Sequence, residues 1–573
     1  MNNYNSNIIW IIVRRMRTPL IVIIITFSIS ILGMVLIPGV DSNGNPYRMN
    51  FLDAFYFVTY MATTIGFGEI PYEFTYAQRL WVIFSIFIGV VGWFYAIGAL
   101  VSLIQDQKLL TQLNISRFQK RVKSLREPFI IILGYNNTTK DLIHKLSSTK
   151  RIVVIDKDPE KIDELELENF IPEVYALAAD VNNPEVLKIA GIKSRFCKGM
   201  VALFENDFKN TKIALLARLL NDRINLIVKS TTKEQTEHLK NLGIKNIVDP
   251  FNIVANRFYL AITSPSLWLL EMMFFGHDLH IKKEEFLPKG KYIICGYGRM
   301  GKALGDSLTR AGLEYTYIDL KSTHYKKKKN SAIFGDAEDY KMLLKAGVKE
   351  AVAIIAATKD DLINLTILLT AKKINPNIYT IGRENTLDDV TIFKAAKIDR
   401  VYILEEVMAE YVYIIIKIPL AHIFLKEIHR QSELWGEKIL EKIKNIVGYE
   451  PKVYEIRVSR DETYALYHYL KEGGTIYLRD ILKDYNNQRA KIVVLLVKNR
   501  KEQVTFMPDD DYEVKISDRF LLAATPEAMD DFELIVNNIN ELYYILTGED
   551  MKFGVFKYLD KLLEKEKNEQ SNK

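Results

Sequence analysis

Two long uncharged stretches frame a third that is apolar yet too short to cross a bilayer, and that frame limits what the first hundred residues can build. Residues 19–37 read PLIVIIITFSISILGMVLI without a charge, and Leu80 to Ile104 is uncharged as well. At ~1.5 Å rise per residue, each spans a hydrocarbon core of about 30 Å. The first stretch is too long for the apolar region of a cleaved signal peptide and lacks a small-residue cleavage site. Between them Phe51–Ala62 runs into Thr63-Thr64-Ile65-Gly66-Phe67-Gly68-Glu69-Ile70-Pro71. Irregular backbone at membrane depth is tolerated only where it lines a cavity or is buried in protein. A re-entrant helix followed by a glycine-punctuated loop meets that condition. Gly66 and Gly68 permit unusual backbone angles, so successive carbonyls can point at one axis.

The flanks set orientation. Arg14, Arg15 and Arg17 precede the first span, and Lys108, Arg117, Lys120, Arg121, Lys123 and Arg126 follow the second. The intervening loop has only Arg48 and Arg79 as basic residues. The positive-inside rule predicts a multi-pass protein in contact with membrane lipid, in the cell membrane, with both termini cytoplasmic. Tyr4–Met16 mixes apolar residues with arginine and reads as an interfacial helix or a frayed tail. The whole chain, 573 residues, is too long for one domain. Its net charge of +6 and the lack of a basic stripe interleaved with aromatics give no reason to expect nucleic acid. Two cysteines, Cys197 and Cys295, make neither a disulfide framework nor a zinc spacing and read as buried thiols.

Residues Thr63–Glu69 resemble the signature filter of the potassium-channel family, with Phe67 where tyrosine is commoner. The resemblance implies a selectivity filter of Thr63, Thr64, Ile65, Gly66, Phe67 and Gly68. K⁺ as permeant ion would bind the carbonyls of Thr64, Ile65, Gly66 and Phe67 and the Thr64 hydroxyl. Four such loops can replace the ion's hydration shell. No helix carries an arginine repeat, so an intrinsic voltage sensor is not expected. A two-span subunit cannot enclose a pore alone, which implies a homotetramer. Gly89 and Gly92 lie mid-span and are hinge candidates. With Gly98 they also suit close helix packing.

The remainder contains an internal repeat. Residues 128–137, PFIIILGYNN, match 291–301, KYIICGYGRMG. RIVVID at 151–156 matches YTYID at 315–319, and VYALAAD at 174–180 matches AIFGD at 332–336. MVALF at 200–204 is set against AIIAA at 353–357, and NLIVK at 225–229 against NIYTI at 377–381. Each copy alternates strand and helix about six times, which predicts a mainly parallel, Rossmann-like sheet with helices on both faces. This order resembles the RCK family (regulator of potassium conductance). The predicted fold is therefore multi-domain: an all-α transmembrane pore domain over 1–106 and a linker over 107–127. Rossmann-like α/β RCK domains follow over 128–289 and 290–432, then a small α/β C-terminal lobe over 433–548 and a tail over 549–573 expected to be partly disordered. In the lobe, Ser517-Asp518 stands where the family has Gly-Asp. The apolar segment Ser266–Gly276 is expected to pack between domains. Four subunits would set eight RCK domains in a gating ring beneath the pore.

The second copy has Gly296-Tyr297-Gly298-Arg299-Met300-Gly301 between a strand and a helix. The glycines permit the tight turn, backbone approach to pyrophosphate and close helix–strand packing. Asp319, followed by Leu320, ends the next strand where an acid hydrogen-bonds ribose hydroxyls. This favours NAD or an adenosine nucleotide such as ADP or AMP as regulatory ligand over NADP. Gly335 and Asp336 follow the third strand, where RCK-type domains border the adenine, and Arg299 and Arg383 are available for phosphates. The first copy has Asn136 and Thr139 in place of the second and third glycines, so dinucleotide binding is expected to be lost there. Acidic groups Glu205/Asp207, Asp336/Glu338/Asp339 and Asp509–Asp511 offer oxygens to Ca²⁺, but none has EF-hand spacing. The expected function is a ligand-gated K⁺ channel and not an enzyme. Alternatives are a membrane-tethered NAD-dependent oxidoreductase, the regulatory subunit of a potassium transporter, and a non-selective pore.

Overall fold

A computed structural model of the chain describes residues 3–280, 286–320, 331–385, 390–484 and 488–549. The C-terminal tail beyond 549 lies outside them. Helix α1 (Asn3–Leu36) is unbroken. Residues 4–16, expected as an interfacial helix or a frayed tail, are helical and continuous with the first span. A hairpin, β1 (Gly39–Val40) and β2 (Pro46–Tyr47), leads to the re-entrant helix α2 (Phe51–Ala62) and the second span α3 (Tyr76–Ile104). Polar caps satisfy the free N–H groups of both helices. Asn50 accepts from Asp53 N at 2.8 Å, and Thr75 forms a reciprocal capping box with Gln78. The spans pack closely because glycine leaves room. A Cβ on Gly33 would fall 1.9 Å from the Trp81 ring, and one on Gly92 2.9 Å from Thr26 Oγ1.

The connector is helix α4 (Gln107–Ser124). Asp106 caps it, accepting from Lys108 N and Leu109 N, and pairs with Arg15. Leu103 and Leu109 pack with Ile12, Met16 and Leu113. At the other end Phe118 and Val122 are buried in the core under the first Rossmann sheet.

That sheet comprises β3 (Phe129–Leu133), β4 (Arg151–Asp156), β5 (Tyr175–Ala178), β6 (Cys197–Ala202), β7 (Asn225–Lys229) and β8 (Asn246–Val248). Helices α5 (Asn137–Ser147), α6 (Pro159–Leu167), α7 (Pro184–Ile189), α8 (Asp207–Leu220) and α9 (Lys233–Asn241) connect them. Two crossover helices follow, α10 (Pro250–Thr263) and α11 (Pro265–Met273). The second sheet comprises β9 (Tyr292–Cys295), β10 (Tyr315–Asp319), β11 (Ser331–Phe334), β12 (Ala353–Ala356), β13 (Tyr379–Glu384) and β14 (Arg400–Ile403). Its helices are α12 (Arg299–Arg310), α13 (Tyr340–Ala346), α14 (Asp361–Ile374) and α15 (Val390–Ala395), then α16 (Leu404–Lys417) and α17 (Pro419–Ile428). Both sheets are parallel, in the orders β5-β4-β3-β6-β7-β8 and β11-β10-β9-β12-β13-β14. This is one doubly wound order used twice, with the strand direction of winding reversing beside β3 and beside β9. The register differs from the sequence match. Leu133 pairs with Ala202 and Cys295 with Ala356, which moves the fourth strands one residue from the expected alignment.

The copies lock together through their helices, α10 on α12 and α16 on α5, sharing one core. Helix α11 lies between domains, as its apolar sequence predicts. Its Glu271 accepts from Arg257 Nε at 3.1 Å and lies 2.9 Å from His429 Nε2. Burial pushes Glu271 up, but His429 and Arg257 outweigh it and hold the carboxyl below its ordinary range. The lobe begins with α18 (Glu433–Ile446), which packs on α11. Its antiparallel sheet, β15 (Lys452–Arg457), β16 (Ile492–Lys498), β17 (Val504–Phe506) and β18 (Arg519–Ala524), runs β15-β18-β16-β17. Ser517 holds φ +78°, the left-handed conformation for which glycine is the usual residue. Burial pushes both thiols up, Cys197 to about 12.

Candidate functional site

The loop after α2 is built from amide bonds that all run one way. Thr64 N donates to Met61 O at 3.1 Å, and Ile65 N and Gly66 N donate to Tyr60 O at 3.0 and 3.3 Å. In a trans peptide the carbonyl points opposite the N–H. The carbonyls of Thr63, Thr64 and Ile65 therefore face away from the helix. Thr64, Gly66 and Gly68 hold φ of +63°, +65° and +74°, so left-handed residues alternate along the loop. Ile65 and Phe67 are exposed in the single chain, and nothing lies within 4 Å of a Cβ placed on Gly66 or Gly68. A cleft of about 490 Å³ behind the loop has Phe57, Phe74, Val82, Ile86 and Val90 on its walls. Gly89 faces the end of α2, with Ala62 Cβ 3.6 Å from its added Cβ, and α3 is unbroken through Gly89 and Gly92. Both hinge candidates thus sit in helix contacts.

The second site lies at the carboxyl ends of β9 and β10. Gly296 turns the chain at φ +89°, and a Cβ there would meet Thr358 N at 3.0 Å. A Cβ on Gly301 would fall 2.1 Å from Gly296 O, so only glycine fits. Gly298 starts α12 without a side-chain cap and is exposed. Asp319 accepts from Tyr297 N at 2.7 Å. The Tyr297 ring stacks on Tyr317 at 4.0 Å, and Met300 is fully buried, so these two side chains serve the core beside the loop. Leu320 is 76% exposed at the strand end. Gly335 packs against Met342, and Asp336 accepts from Glu338 N.

The two arginines reach the first copy, which the sequence did not indicate. Arg299 donates to Thr231 Oγ1 and lies 4.7 Å over the Phe251 ring. Arg383 lies 5.5 Å over the same ring and donates to Asn385. Burial, with Arg299 nearby, lowers Arg383 to about 10.

In the first copy the same loop is filled by its own side chains. Asn136 accepts from Thr139 N at 3.0 Å, and Thr139 Oγ1 donates to Gly134 O at 2.9 Å. The Phe204 ring covers Gly134, 2.7 Å from a Cβ placed there. Lys209 lies 3.4 Å over that ring, and Lys229 pairs with Glu205.

The Ca²⁺ expectation is not supported. Among the described residues no three or more His, Cys, Asp or Glu side chains gather into a metal site. Asp207 is bonded to Thr231, Asp510 to Arg489 and Asp511 to Arg479.

Comparison with known proteins follows the same division. The model of the ion-channel family matches residues 19–106, and that of the TrkA-N domain matches 130–250 and 292–404. Potassium channel protein 1 of Methanocaldococcus jannaschii is 26% identical over 308 residues, 54% of this chain and 86% of that protein. Probable potassium channel protein 2 of the same organism is 33% identical over 119 residues, 20% of this chain and 35% of that protein. Among solved structures, the GsuK channel bound to NAD is 16% identical with a TM-score of 0.46, covering 92% of this chain and 99% of that one. A pore module and two Rossmann units joined in this order place the chain among the two-span potassium-channel proteins that carry tandem RCK domains.

Proposed function

We propose that four copies of this chain form a K⁺-selective pore in the cell membrane, with both termini cytoplasmic and eight RCK domains in a ring. An adenine nucleotide, NAD or ADP/AMP, held by the second copy sets its open probability. The pore half rests on the one-way amides of residues 64–66, which turn carbonyls outward for an ion, and on the open side of Gly66 and Gly68, where neighbouring copies fit. The observation that carries the regulatory half is the uncapped start of α12 at Gly298. Its free N–H groups suit a pyrophosphate. Asp319 is placed for ribose, and Arg299 and Arg383 add positive charge.

The same arginines give the ligand a route to the pore. A phosphate at α12 competes with Thr231 and Phe251 for Arg299, which changes the contact between copies. If each of four sites favours one state by ~1.4 kcal/mol, the sum is about 5.6 kcal/mol, enough to move a 1:99 equilibrium to about 99:1. The first copy is packed on the connector α4, which continues from the pore-lining span.

Single-channel recording of the full chain in planar bilayers tests both halves. The expected results are a reversal potential that follows the K⁺ gradient and an open probability that changes at saturating NAD or ADP. An unchanged open probability removes the regulatory half, and a reversal potential indifferent to K⁺ over Na⁺ removes selectivity.

A further inference from the structure

We propose that Tyr60, on the re-entrant helix, is the positioning residue that sets the length of the filter; the proposal rests on reading Thr63–Gly68 as a K⁺ filter. Its backbone carbonyl takes two bonds from the inner part of the loop, Ile65 N at 3.0 Å and Gly66 N at 3.3 Å. Its hydroxyl donates to the backbone oxygen of Glu69 at 2.9 Å, beyond the outer end. Its ring meets Phe67 edge-on at 6.2 Å. One residue therefore holds the loop at both ends, residues 65 and 66 through its backbone carbonyl and residues 67 and 69 through its buried side chain.

The physical need for such a brace is visible in the loop. Thr64 at φ +63° is in a conformation that a β-branched residue rarely takes, and such backbone persists only where its surroundings over-determine it. Phe67 has no hydroxyl, so the aromatic of the filter cannot tie its own outer end to the helix. The donor comes from the helix side instead. Tyr60 is 5% exposed and ring-stiff, and the covalent distance from its carbonyl to its hydroxyl fixes the separation of the two attachment points. That separation spans the carbonyls of Ile65, Gly66, Phe67 and Gly68. Tyr56 is the looser partner: it donates to the Glu69 carboxylate at 3.1 Å and is 43% exposed.

The test is Tyr60→Phe in the full chain, reconstituted in liposomes and compared with wild type in K⁺ and Na⁺. Wild-type flux without discrimination removes the underlying reading before any variant is compared. Given a selective wild type, Tyr60→Phe is expected to raise the Na⁺/K⁺ permeability ratio roughly tenfold, the factor one neutral hydrogen bond is worth. Tyr56→Phe is expected to change it less than about threefold, because water can replace its partner. An unchanged ratio in Tyr60→Phe, or an equal effect in Tyr56→Phe, overturns the proposal. Where Tyr60→Phe carries no current, thermal melting of the purified oligomer decides. Wild type is expected to melt higher in K⁺ than in Na⁺, and loss of that difference in the variant supports the brace. A variant that keeps that difference, or fails to fold equally in K⁺ and Na⁺, overturns it.

Discussion

In the first Rossmann copy the helix after the first strand begins at Asn136, whose side chain bonds the free N–H of Thr139; in the second it begins at Gly298, which has no side chain to offer. The surroundings otherwise correspond closely. Tyr135 N donates to Asp156 at 2.7 Å, and Tyr297 N donates to Asp319 at the same distance. Asn210 Nδ2 donates to Lys229 O and Asn364 Nδ2 to Arg383 O, each at 2.9 Å. Strand order, tight turn and acid are thus shared. What differs is which atoms satisfy the orphan N–H groups at the helix start. The first copy satisfies them itself, worth about 1 kcal/mol for an Asn cap. The second forgoes that stabilisation and offers no side-chain cap to those groups.

The largest effect that tests this contrast comes from Gly301→Val. Its Cβ would meet Gly296 O at 2.1 Å, so the loop must shift by more than a bond rotation can absorb. Such overpacking costs ~1–3 kcal/mol, and ADP affinity by calorimetry is expected to fall by roughly 5- to 150-fold. The mirror variant Thr139→Val loses the bond to Gly134 O. It is expected to cost ~1–2 kcal/mol of stability in thermal melts and leave ADP affinity unchanged. Equal loss of affinity from both variants breaks the comparison.

A smaller effect is expected when the first copy is given its glycines. Asn136→Gly with Thr139→Gly removes a capping box and places a second glycine in the first turn, costing roughly 1–2 kcal/mol. Calorimetric stoichiometry should remain one nucleotide per chain, because Phe204 still covers Gly134 under Lys209. Two nucleotides per chain would show that the glycine substitutions alone silence the first copy.

Much of this was legible in the chain. The strands announce themselves as short continuous apolar runs, as strands covered on both faces must. Of the fingerprint glycines, Gly296 and Gly301 are legible because each answers a steric demand that no other residue meets, whereas Gly298 has open space around it. The apolar runs of the fourth strands did not fix their register, although the match of Asn210 with Asn364 after them did. VALF and IIAA carry no marks to align them, and the true match is set by buried asparagines: Phe204 N donates to Asn210 and Thr358 N to Asn364. The helix in the linker over 107–127 was not legible because it buries only a few apolar residues, Phe118 and Val122 among them, in a charged sequence. Nothing local placed Arg299 on Thr231 and Phe251, since that contact exists only once the copies dock. Tyr60 had a faint signal, a second tyrosine four residues before it on the same helix face, but its bond to Glu69 depends on how the loop returns.

The last contrast concerns where the copies meet. Helix α10 is capped by Asp249, which accepts from Phe251 N at 2.9 Å, whereas its counterpart α16 begins at Ile403 with no side-chain cap. Burial raises Asp249 to about 6; its bonds to Asn252 and Phe251 oppose that rise, Asp207 adds to it and Arg299 opposes it. The folded chain therefore holds this proton more tightly than the unfolded chain, whose value is near the ordinary 3.8. The stabilisation is fully present below about 3.8 and is lost as pH rises through about 6. Above that, the fold carries an ionised carboxylate at a cost on the order of 1–3 kcal/mol. Asp249→Asn keeps the cap and removes the charge. Its melting temperature should exceed wild type at pH 7.5, and the difference should shrink as pH falls below 6, where Asp249 takes up its proton. Because both proteins share every other titrating group, those contributions cancel in the difference. A difference that stays constant between pH 5 and 8 would mean that Asp249 acts only as a cap, and the two crossover helices would then differ in capping alone.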